Sequence, residues 1–432
     1  MESIPGRLTV MIMLSVLRAA KRNQSRLYLT VTQYHLKIML RVFVIDRARK
    51  GGFWRMKFVE MEGKMQIPLV DLKAQYDSIK DEIDQIIHNV IKDSAFIGGK
   101  YLKSFENNFA NYIGIKHCIG VGSGTDALFV ALKTLDIKDS DEVITVANTF
   151  IATSEAISMT GARVRFVDCD KDTYNIDVNK IEKVVSKKTK AIIPVHIYGQ
   201  PADMDRIMEI AKHYGLFVIE DVAQAHGAKY KNKSIGTLGD IGCFSFFPSK
   251  NLGAYGDAGA IVTSNNELAQ KARMFANHGR IEKYNHEFEG INSRLDGLQA
   301  AVLDVKLKYL EKWIERRRAI AKMYNEELRN IVVIPYVMPE TRHVYHLYVI
   351  RVRNREKIIT YLQEKGISTG IHYPVPLPFL KAYRYLGHKP EDFPVSYSIK
   401  DEVLSLPIYP EMTDEQVSYV IKHLKDAVKR YS

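Results

Sequence analysis

One lysine lies within an apolar segment, at a point where its amine can react with an aldehyde. The segment runs from Ser245 to Gly253 as Ser-Phe-Phe-Pro-Ser-Lys-Asn-Leu-Gly, and Lys250 is its only charged residue. An amine that is partly removed from water loses its proton more readily, and the neutral amine is a nucleophile. Most lysines at such a position are solvated surface charges. Lys250 therefore needs a chemical partner before it indicates catalysis.

The partner is a carboxylate that follows another apolar segment. Asp221 comes directly after the predicted strand 217–219, with Gln224 and His226 in the next turn. An acid at that place is either an exposed cap or a buried carboxylate paired with a cation. A covalent lysine and a fixed aspartate are what pyridoxal phosphate requires, because one binds the aldehyde and the other keeps the pyridine nitrogen protonated. Gln224 is expected to reach the cofactor's phenolic oxygen, whereas His226 is more simply a packed histidine.

A small-residue turn is a candidate phosphate site. Residues 122–127 read Gly-Ser-Gly-Thr-Asp-Ala between a predicted strand and a predicted helix, so backbone N–H groups at Gly124 and Thr125 can approach an anion. A plain turn with a hydroxyl N-cap explains the same letters equally well. Neither the dinucleotide-binding pattern nor a Walker A ending is present. Ser245 offers a hydroxyl to the same phosphate, and Phe150 is either a core residue or a ring stacked on the cofactor.

The elements that must position these residues alternate along the chain. Helices are predicted at 77–91, 100–112 and, as one long helix, 299–329; after Pro335 a strand (346–352) and two helices (355–365 and 413–429) form a mixed α+β segment. Seven short apolar runs predict strands at 117–121, 142–146, 163–167, 191–195, 217–219, 243–247 and 258–262. We therefore expect an α/β fold with a mostly parallel seven-stranded sheet covered on both faces. Residues 65–310 are expected to form the large domain, and 311–432 a connecting helix with a smaller α+β domain.

The charge of the chain is concentrated at its start. Residues 1–64 hold 13 Lys/Arg against 4 Asp/Glu and thus carry +9 of the net charge of +12. The remainder is nearly balanced, which argues against a nucleic-acid-binding face. We interpret 1–64 as a basic extension of unknown role, with a targeting or membrane-surface function as the lesser alternative. Three scattered cysteines without a C-x-x-C pair favour a cytoplasmic protein without a metal site, and no apolar run is long enough to cross a membrane.

Several motifs together resemble one known family. From about residue 66 to the end, the chain is similar to the DegT/DnrJ/EryC1/StrS sugar aminotransferases. The motifs that carry this resemblance are Gly-Ser-Gly-Thr at 122–125, Asn-Thr-Phe at 148–150, Glu-Asp-Val-Ala-Gln-Ala-His-Gly at 220–227, the lysine segment at 245–253 and Asn-Ser-Arg-Leu-Asp-Gly-Leu-Gln-Ala-Ala at 292–301.

The resemblance implies a fold type I aminotransferase that acts as a homodimer with shared active sites. Lys250 would bind pyridoxal 5'-phosphate covalently and move the substrate proton, and Asp221 would pair with the pyridine nitrogen. It also implies contacts with the ring or phosphate for Gln224, Phe150, Gly124, Thr125 and Ser245, and for Asn292 across the dimer.

The expected reaction moves an amino group from L-glutamate to a nucleotide-linked keto-sugar. Segments 195–204 and 371–374 are most similar to the branch that aminates C3 of dTDP-3-oxo-6-deoxyhexoses, while a sister branch aminates C4, as in GDP-perosamine synthesis. Segments 374–380 and 393–397 depart from the family pattern, so the sequence does not determine which sugar is the substrate. Candidate substrate contacts, each equally explained as surface or packing residues, are Arg280, Arg294, His372 and Tyr373.

Two rival functions share this fold. Sugar 3-dehydrases carry histidine at the lysine position, and a non-catalytic regulator would be expected to have lost Lys250 or Asp221. This sequence retains both residues. The sequence therefore favours a transaminase.

Overall fold

The computed structural model describes residues 27–34, 37–47, 54–62 and 65–431, and the chain divides into two compact units at Gln66/Ile67. In the first unit the described strands form an antiparallel sheet with β2 in the centre. Its strands are β1 (Leu27–Tyr34), β2 (Lys37–Arg47) and β3 (Trp54–Glu62). The basic stretch that precedes Leu27 in the predicted extension lies outside the described residues.

The second unit opens with three helices and continues as alternating strands and helices. Up to residue 307 its elements are α1 (Leu72–Ser78), α2 (Lys80–Lys92), α3 (Gly99–Ile113), β4 (His117–Val121), α4 (Gly124–Thr134), β5 (Glu142–Val146), α5 (Ala152–Met159), β6 (Arg163–Val167), α6 (Val178–Ile181), β7 (Thr189–Ile193), α7 (Met204–Tyr214), β8 (Phe217–Asp221), β9 (Lys229–Tyr230), β10 (Lys233–Ser234), β11 (Ile241–Ser245), β12 (Gly259–Thr263), α8 (Asn266–Phe275), β13 (Arg280–Glu282), β14 (Asn285–His286) and α9 (Gly297–Leu307).

A second set of elements completes the unit. They are α10 (Leu310–Leu328), β15 (Thr341–Arg342), β16 (Tyr348–Arg351), α11 (Arg355–Glu364), α12 (Pro394–Ile399), β17 (Val403–Leu406) and α13 (Asp414–Tyr431). Strands β16 and β17 pair antiparallel, and α11 and α10 both pack on α13. The division into domains at 310/311 stays a prediction.

The seven-stranded sheet confirms the expected fold class. Its order is β4-β12-β11-β8-β7-β5-β6. Strand β12 runs antiparallel to both neighbours, and every other adjacent pair is parallel. The sheet is therefore mostly parallel, with the carboxyl ends of six strands at one edge.

The core lies on both faces of this sheet. Neighbouring residues on β5 show the alternation: Val143 packs into one apolar cluster and Ile144 into the other. Successive side chains of a strand point to opposite faces, so a strand buried on both sides needs an uninterrupted apolar run. The short apolar runs in the sequence therefore reflect the burial of these strands on both faces of the sheet.

The predicted single helix 299–329 is wrong. It is two helices, α9 and α10, separated at Lys308 and Tyr309. The side chains of both break residues bond to Glu82 on α2. The periodic pattern runs through the break because helical spacing of apolar residues does not distinguish one long helix from two consecutive helices. A similar break at Ile79 (φ −131°) separates α1 from α2, where one helix at 77–91 is predicted.

No helix in the described part of the chain is both long and apolar enough to cross a membrane.

Candidate functional site

The predicted cofactor residues converge because they follow the carboxyl ends of parallel strands. Gly124 and Thr125 come after β4, Phe150 after β5, and Asp221 and Ser245 end β8 and β11. In open α/β sheets ligands bind in the crevice outside these ends. The topology thus brings together residues from four separate segments of the sequence.

Lys250 lies in a tight turn directly after β11. Its amide donates to the Phe247 carbonyl at 2.8 Å, and the Ala254 amide closes the turn on the Phe246 carbonyl at 2.8 Å. The side chain is partly buried. Burial lowers the pKa of Lys250 to about 8, and the negative charge of Asp221 opposes that shift. About a tenth of this amine is therefore neutral at pH 7, far more than for an exposed lysine, and the neutral form is the one that a nucleophile or base requires.

Asp221 is a buried carboxylate held in a fixed direction. One of its oxygens accepts a hydrogen bond from the Thr153 hydroxyl at 2.7 Å, and the other accepts from the Ala223 amide at 3.1 Å. Only 4% of its surface is exposed. Burial raises the pKa of Asp221, while these two donors and the Lys250 charge oppose the rise. A cation bound beside it would favour the ionised form, because opposite charges favour ionisation.

Gln224 is buried and connects two tyrosines. Its Oε1 accepts from the Tyr198 amide at 2.7 Å, and its Nε2 donates to the Tyr373 hydroxyl at 3.0 Å. The Tyr198 hydroxyl in turn donates to the His372 carbonyl. This chain of bonds ties the C-terminal segment to the edge of the sheet.

Gly124 and Ser245 lie against each other at the predicted phosphate site. A Cβ on Gly124 would come within 2.5 Å of the Ser245 Cβ, so only glycine fits there. Ser123 caps α4 by accepting from the Asp126 amide at 3.1 Å. The first N–H groups of a helix have no intrahelical partner and favour an anion. The glycine, the helix start with Thr125 and the Ser245 hydroxyl fit a phosphate group.

The aromatic residues at the site occupy different environments. Phe150 is 54% exposed, and its ring centroid lies 6.0 Å from that of Tyr373 at 39°. An exposed apolar ring beside Tyr373, whose hydroxyl bonds Gln224, fits a planar ligand better than it fits a core role. His226 is fully buried against Phe244 and Phe246, with ring centroids 5.5 Å away, as a packed histidine would be.

The candidate substrate residues form two groups. Arg280 and Arg294 are half-buried, and both donate to the Asn277 side-chain oxygen, at 3.1 and 3.5 Å. His372 bonds through Nδ1 to the Ser405 hydroxyl at 2.8 Å. Burial lowers the pKa of His372 to about 4, and the Lys250 charge adds to that shift. His372 is thus neutral at physiological pH.

Asn292 is exposed, whereas its neighbour Ser293 faces the phosphate turn of its own chain. The Ser293 hydroxyl accepts from the Gly122 amide at 3.0 Å and donates to Asp126 Oδ2 at 2.7 Å. An exposed Asn292 fits the predicted contact across a dimer. Its role stays a prediction.

Sequence reasoning missed the residues that hold the predicted ones. Thr153 and Tyr198 bond directly to Asp221 and Gln224. Behind them, Glu220 accepts from three backbone amides and contacts the His196 ring at 3.1 Å. Glu220 could have been identified from the sequence, because it is an acidic residue between the apolar run 217–219 and Asp221. Thr153 carries none, because hydroxyl residues near helix starts are common.

The comparisons with known proteins identify the family of this chain. The model of the DegT/DnrJ/EryC1/StrS aminotransferase family matches residues 77–425. A relative from Aneurinibacillus thermoaerophilus, named dTDP-3-amino-3,6-dideoxy-alpha-D-galactopyranose transaminase, is 47% identical over 84% of this chain and 99% of its own length. Another, from Geobacillus stearothermophilus and named pleiotropic regulatory protein, is 45% identical over 85% of this chain and all of its own.

Solved structures give the same result. DesV of S. venezuelae superposes with a TM-score of 0.83 at 41% identity, covering 85% of this chain and 100% of that one. NtdA of Bacillus subtilis, with bound cofactor PMP, superposes with a TM-score of 0.79 at 33% identity, covering 85% and 86%. Both similarities extend over the unit that contains Lys250 and Asp221.

Proposed function

Because this chain belongs to the DegT/DnrJ/EryC1/StrS aminotransferase family, we propose that it transfers an amino group from L-glutamate to a dTDP-linked 3-oxo-6-deoxyhexose, with Lys250 and Asp221 as catalytic residues. The class and cofactor are those of the family: the protein is a sugar-nucleotide aminotransferase that uses pyridoxal phosphate. The single observation that supports the residue roles is the position of a partly buried lysine in the turn after β11 and of a buried aspartate at the end of β8, the adjacent parallel strand.

Each residue has a defined task in this reaction. Bound pyridoxal phosphate supplies an aldehyde that carries the amino group and a pyridinium ring that withdraws electrons from the reacting carbon. Asp221 holds the ring nitrogen in its protonated form, and Gln224 directs its amide to the ring oxygen. Gly124, Thr125 and Ser245 hold the phosphate. Lys250 Nζ removes the proton from the donor's Cα, and a pKa of about 8 suits a base at neutral pH.

Amination at C3 has support from the relatives. The 47% identical A. thermoaerophilus protein is named for a dTDP-linked 3-amino-3,6-dideoxy sugar. Its name matches the C3 branch to which segments 195–204 and 371–374 are similar. The alternative is a C4 aminotransferase of the GDP-perosamine type. Segments 374–380 and 393–397, which depart from the family pattern, are where we expect the sugar to be selected.

A regulatory role is the second candidate, because one relative is named a pleiotropic regulatory protein. A regulator without catalysis would gain nothing from an amine whose pKa is lowered to about 8 beside a buried carboxylate. We therefore place catalysis first.

We also propose that the active enzyme is a homodimer, in which Asn292 of the partner subunit contacts the cofactor phosphate. The exposure of Asn292 on its own chain supports this arrangement. Three free, buried cysteines support a cytoplasmic location.

The first experiment is an absorbance spectrum of the purified protein with pyridoxal phosphate. We expect a visible band that shifts when L-glutamate is added. Lys250→Ala should lack the band of the covalent lysine–cofactor bond. Asp221→Asn should retain the band but lose about 100-fold or more in the rate of the glutamate-dependent shift, the scale on which catalytic electrostatic groups act.

The acceptor is identified by a panel of dTDP-, UDP- and GDP-linked keto-sugars with the oxo group at C3 or C4. Return of the original band with a dTDP-3-oxo-6-deoxyhexose supports the proposal. Turnover confined to a C4 ketone supports the alternative. A protein that binds no cofactor at all would refute catalysis and leave the regulatory reading.

A further inference from the structure

A second lysine, which is not among the predicted cofactor or substrate residues, is completely buried. Lys306 on α9 has 0% of its surface exposed. Its Nζ donates to the Gly253 carbonyl at 2.8 Å and lies 4.1 Å from the centroid of the Tyr255 ring. Burying an ammonium group is costly unless hydrogen bonds and other charges compensate for the lost water. The carbonyl that it contacts belongs to the turn that carries Lys250.

The same face of α9 holds the turn at a second point. Gln299 lies seven residues, or two helical turns, before Lys306, so the two side chains project from one side of the helix. The Gln299 Oε1 accepts from the Tyr255 amide at 2.8 Å. A Cβ on Gly256 would come within 3.0 Å of Gln299 Nε2. Helix α9 therefore contacts the backbone from Gly253 to Gly256.

The turn itself is closed tightly. A Cβ on Gly253 would approach the Pro248 carbonyl oxygen to 2.2 Å, so the chain on one side of Lys250 touches the chain on the other. The Asn251 side chain fixes the turn next to Lys250. It donates to the Val344 carbonyl at 3.2 Å and contacts the His346 ring at 3.3 Å. A displacement of Gly253 would thus be transmitted directly to Lys250.

Buried charges of both signs surround this contact. Glu411 interacts electrostatically with Lys306 and also with Arg317, which bonds the carbonyls of Tyr345 and Ile408. Burial lowers the pKa of Lys306 to about 8, and Glu411 opposes that shift. The carboxylate favours the charged lysine, which donates the stronger hydrogen bond.

We propose that Lys306, together with Gln299, is a positioning residue that holds the Gly253–Gly256 backbone and thereby fixes the direction of the Lys250 amine. The inference rests on the proposed function of Lys250. It adds a residue that acts on the reaction without contact with substrate or cofactor. A lysine is suited to this task because one long side chain reaches from α9 to a carbonyl and covers an aromatic ring.

The test compares Lys306→Met, which keeps a four-atom apolar stem and removes the ammonium donor, with Lys306→Gln, which keeps a neutral donor one atom closer to the backbone. Lys308→Met is the matched control, because Lys308 is mostly exposed and pairs with Glu82. In the cofactor-free full chain, hydrogen exchange at the Ala254 and Tyr255 amides should rise about tenfold in Lys306→Met. In the loaded enzyme, kcat for the glutamate half-reaction should fall about tenfold while KM changes less than about threefold. Lys306→Gln should recover most of both losses, and Lys308→Met should show neither.

Two results would overturn the inference. One is a folded Lys306→Met protein with parental exchange and kcat. The other is a Lys306→Gln protein as impaired as Lys306→Met together with a Gln299→Leu protein of parental exchange at the Tyr255 amide, since neither hydrogen bond to the turn would then be the cause. If Lys306→Met does not fold, Gln299→Leu carries the test through the exchange of the Tyr255 amide. Failure of the proposed function is seen separately, as a Lys250→Ala protein that keeps the spectrum of the parent.

Discussion

At the scale of single residues, the site depends on opposite effects of burial on two charged groups. Removal from water lowers the pKa of Lys250 to about 8 and raises that of Asp221. Both shifts disfavour charge, and each group partly compensates for the other. A partly neutral lysine and a buried carboxylate are suited to bind an aldehyde that is attached to a pyridine ring.

The pKa of Lys250 leads to a prediction about pH. Because only the neutral amine attacks an aldehyde, covalent uptake of pyridoxal phosphate by cofactor-free protein should speed up about tenfold from pH 7 to pH 9, with a midpoint near 8. Stopped-flow absorbance measures the rate. Lys250→Ala reports non-covalent uptake, which is subtracted. A rate still rising steeply near pH 10 would mean that the amine has the pKa of an exposed lysine.

At the scale of elements, parallel strands whose carboxyl ends lie at one edge of the sheet create the site. Strands β8 and β11 are neighbours in register, with Cys243 opposite Asp221, so their carboxyl ends and the following turns lie side by side. Helix α4 then brings its first turn to the end of β11. The packing there is close enough that one methyl group would disturb it.

Gly124→Ala should therefore destabilise the cofactor-free protein by about 1–3 kcal/mol and weaken pyridoxal phosphate binding, because the new Cβ would overlap Ser245. Urea unfolding and cofactor titration measure the two effects. Adding Ser245→Gly removes the opposing Cβ, so the double variant should recover about 1 kcal/mol or more relative to the sum of the single changes. Strict additivity would show that the two positions do not touch.

At the scale of the whole molecule, the proposed dimer assigns part of each site to the other subunit. Mixed dimers test this with Lys250→Ala and Asn292→Ala subunits. If Asn292 acts across the interface, equal mixing regenerates one intact site in half of the dimers and restores about a quarter of the parental activity. The assay uses limiting cofactor, at which each single variant should be nearly inactive. No recovery, in dimers shown by mass spectrometry to have exchanged subunits, would place Asn292 in its own site.

The two-unit organisation leads to a prediction about residues 1–64. The chain divides at Gln66/Ile67, and every predicted catalytic residue lies beyond that point. A chain that starts at Met65 should keep cofactor binding and kcat within about twofold of the full chain, as expected when units fold independently. Any binding to nucleic acid or anionic vesicles should be lost. A truncated protein that folds but has no activity would give the N-terminal unit a catalytic role.

The sequence by itself determined the chemistry and the class of fold. The pattern predicts Lys250, Asp221 and Gln224 as site residues because their residue types follow apolar strands in a fixed order, and seven strands could be counted because burial on both faces requires apolar runs. These signals are local, so a one-dimensional pattern retains them. The same pattern predicts the strand ends to within a few residues of their observed positions. It also predicts that Ser245 lies next to the turn that contains Lys250.

Only the tertiary structure decided which groups hold the catalytic ones. The Thr153 hydroxyl on Asp221, the Gln224 bridge between two tyrosines, and Lys306 on the Gly253 carbonyl join residues 26 to 149 positions apart. The two residues at the break between α9 and α10 likewise contact Glu82, more than 200 residues away. Such contacts follow from strand order and helix packing, which local residue preferences do not encode. A buried lysine and a surface lysine look the same in sequence until the fold removes one of them from water.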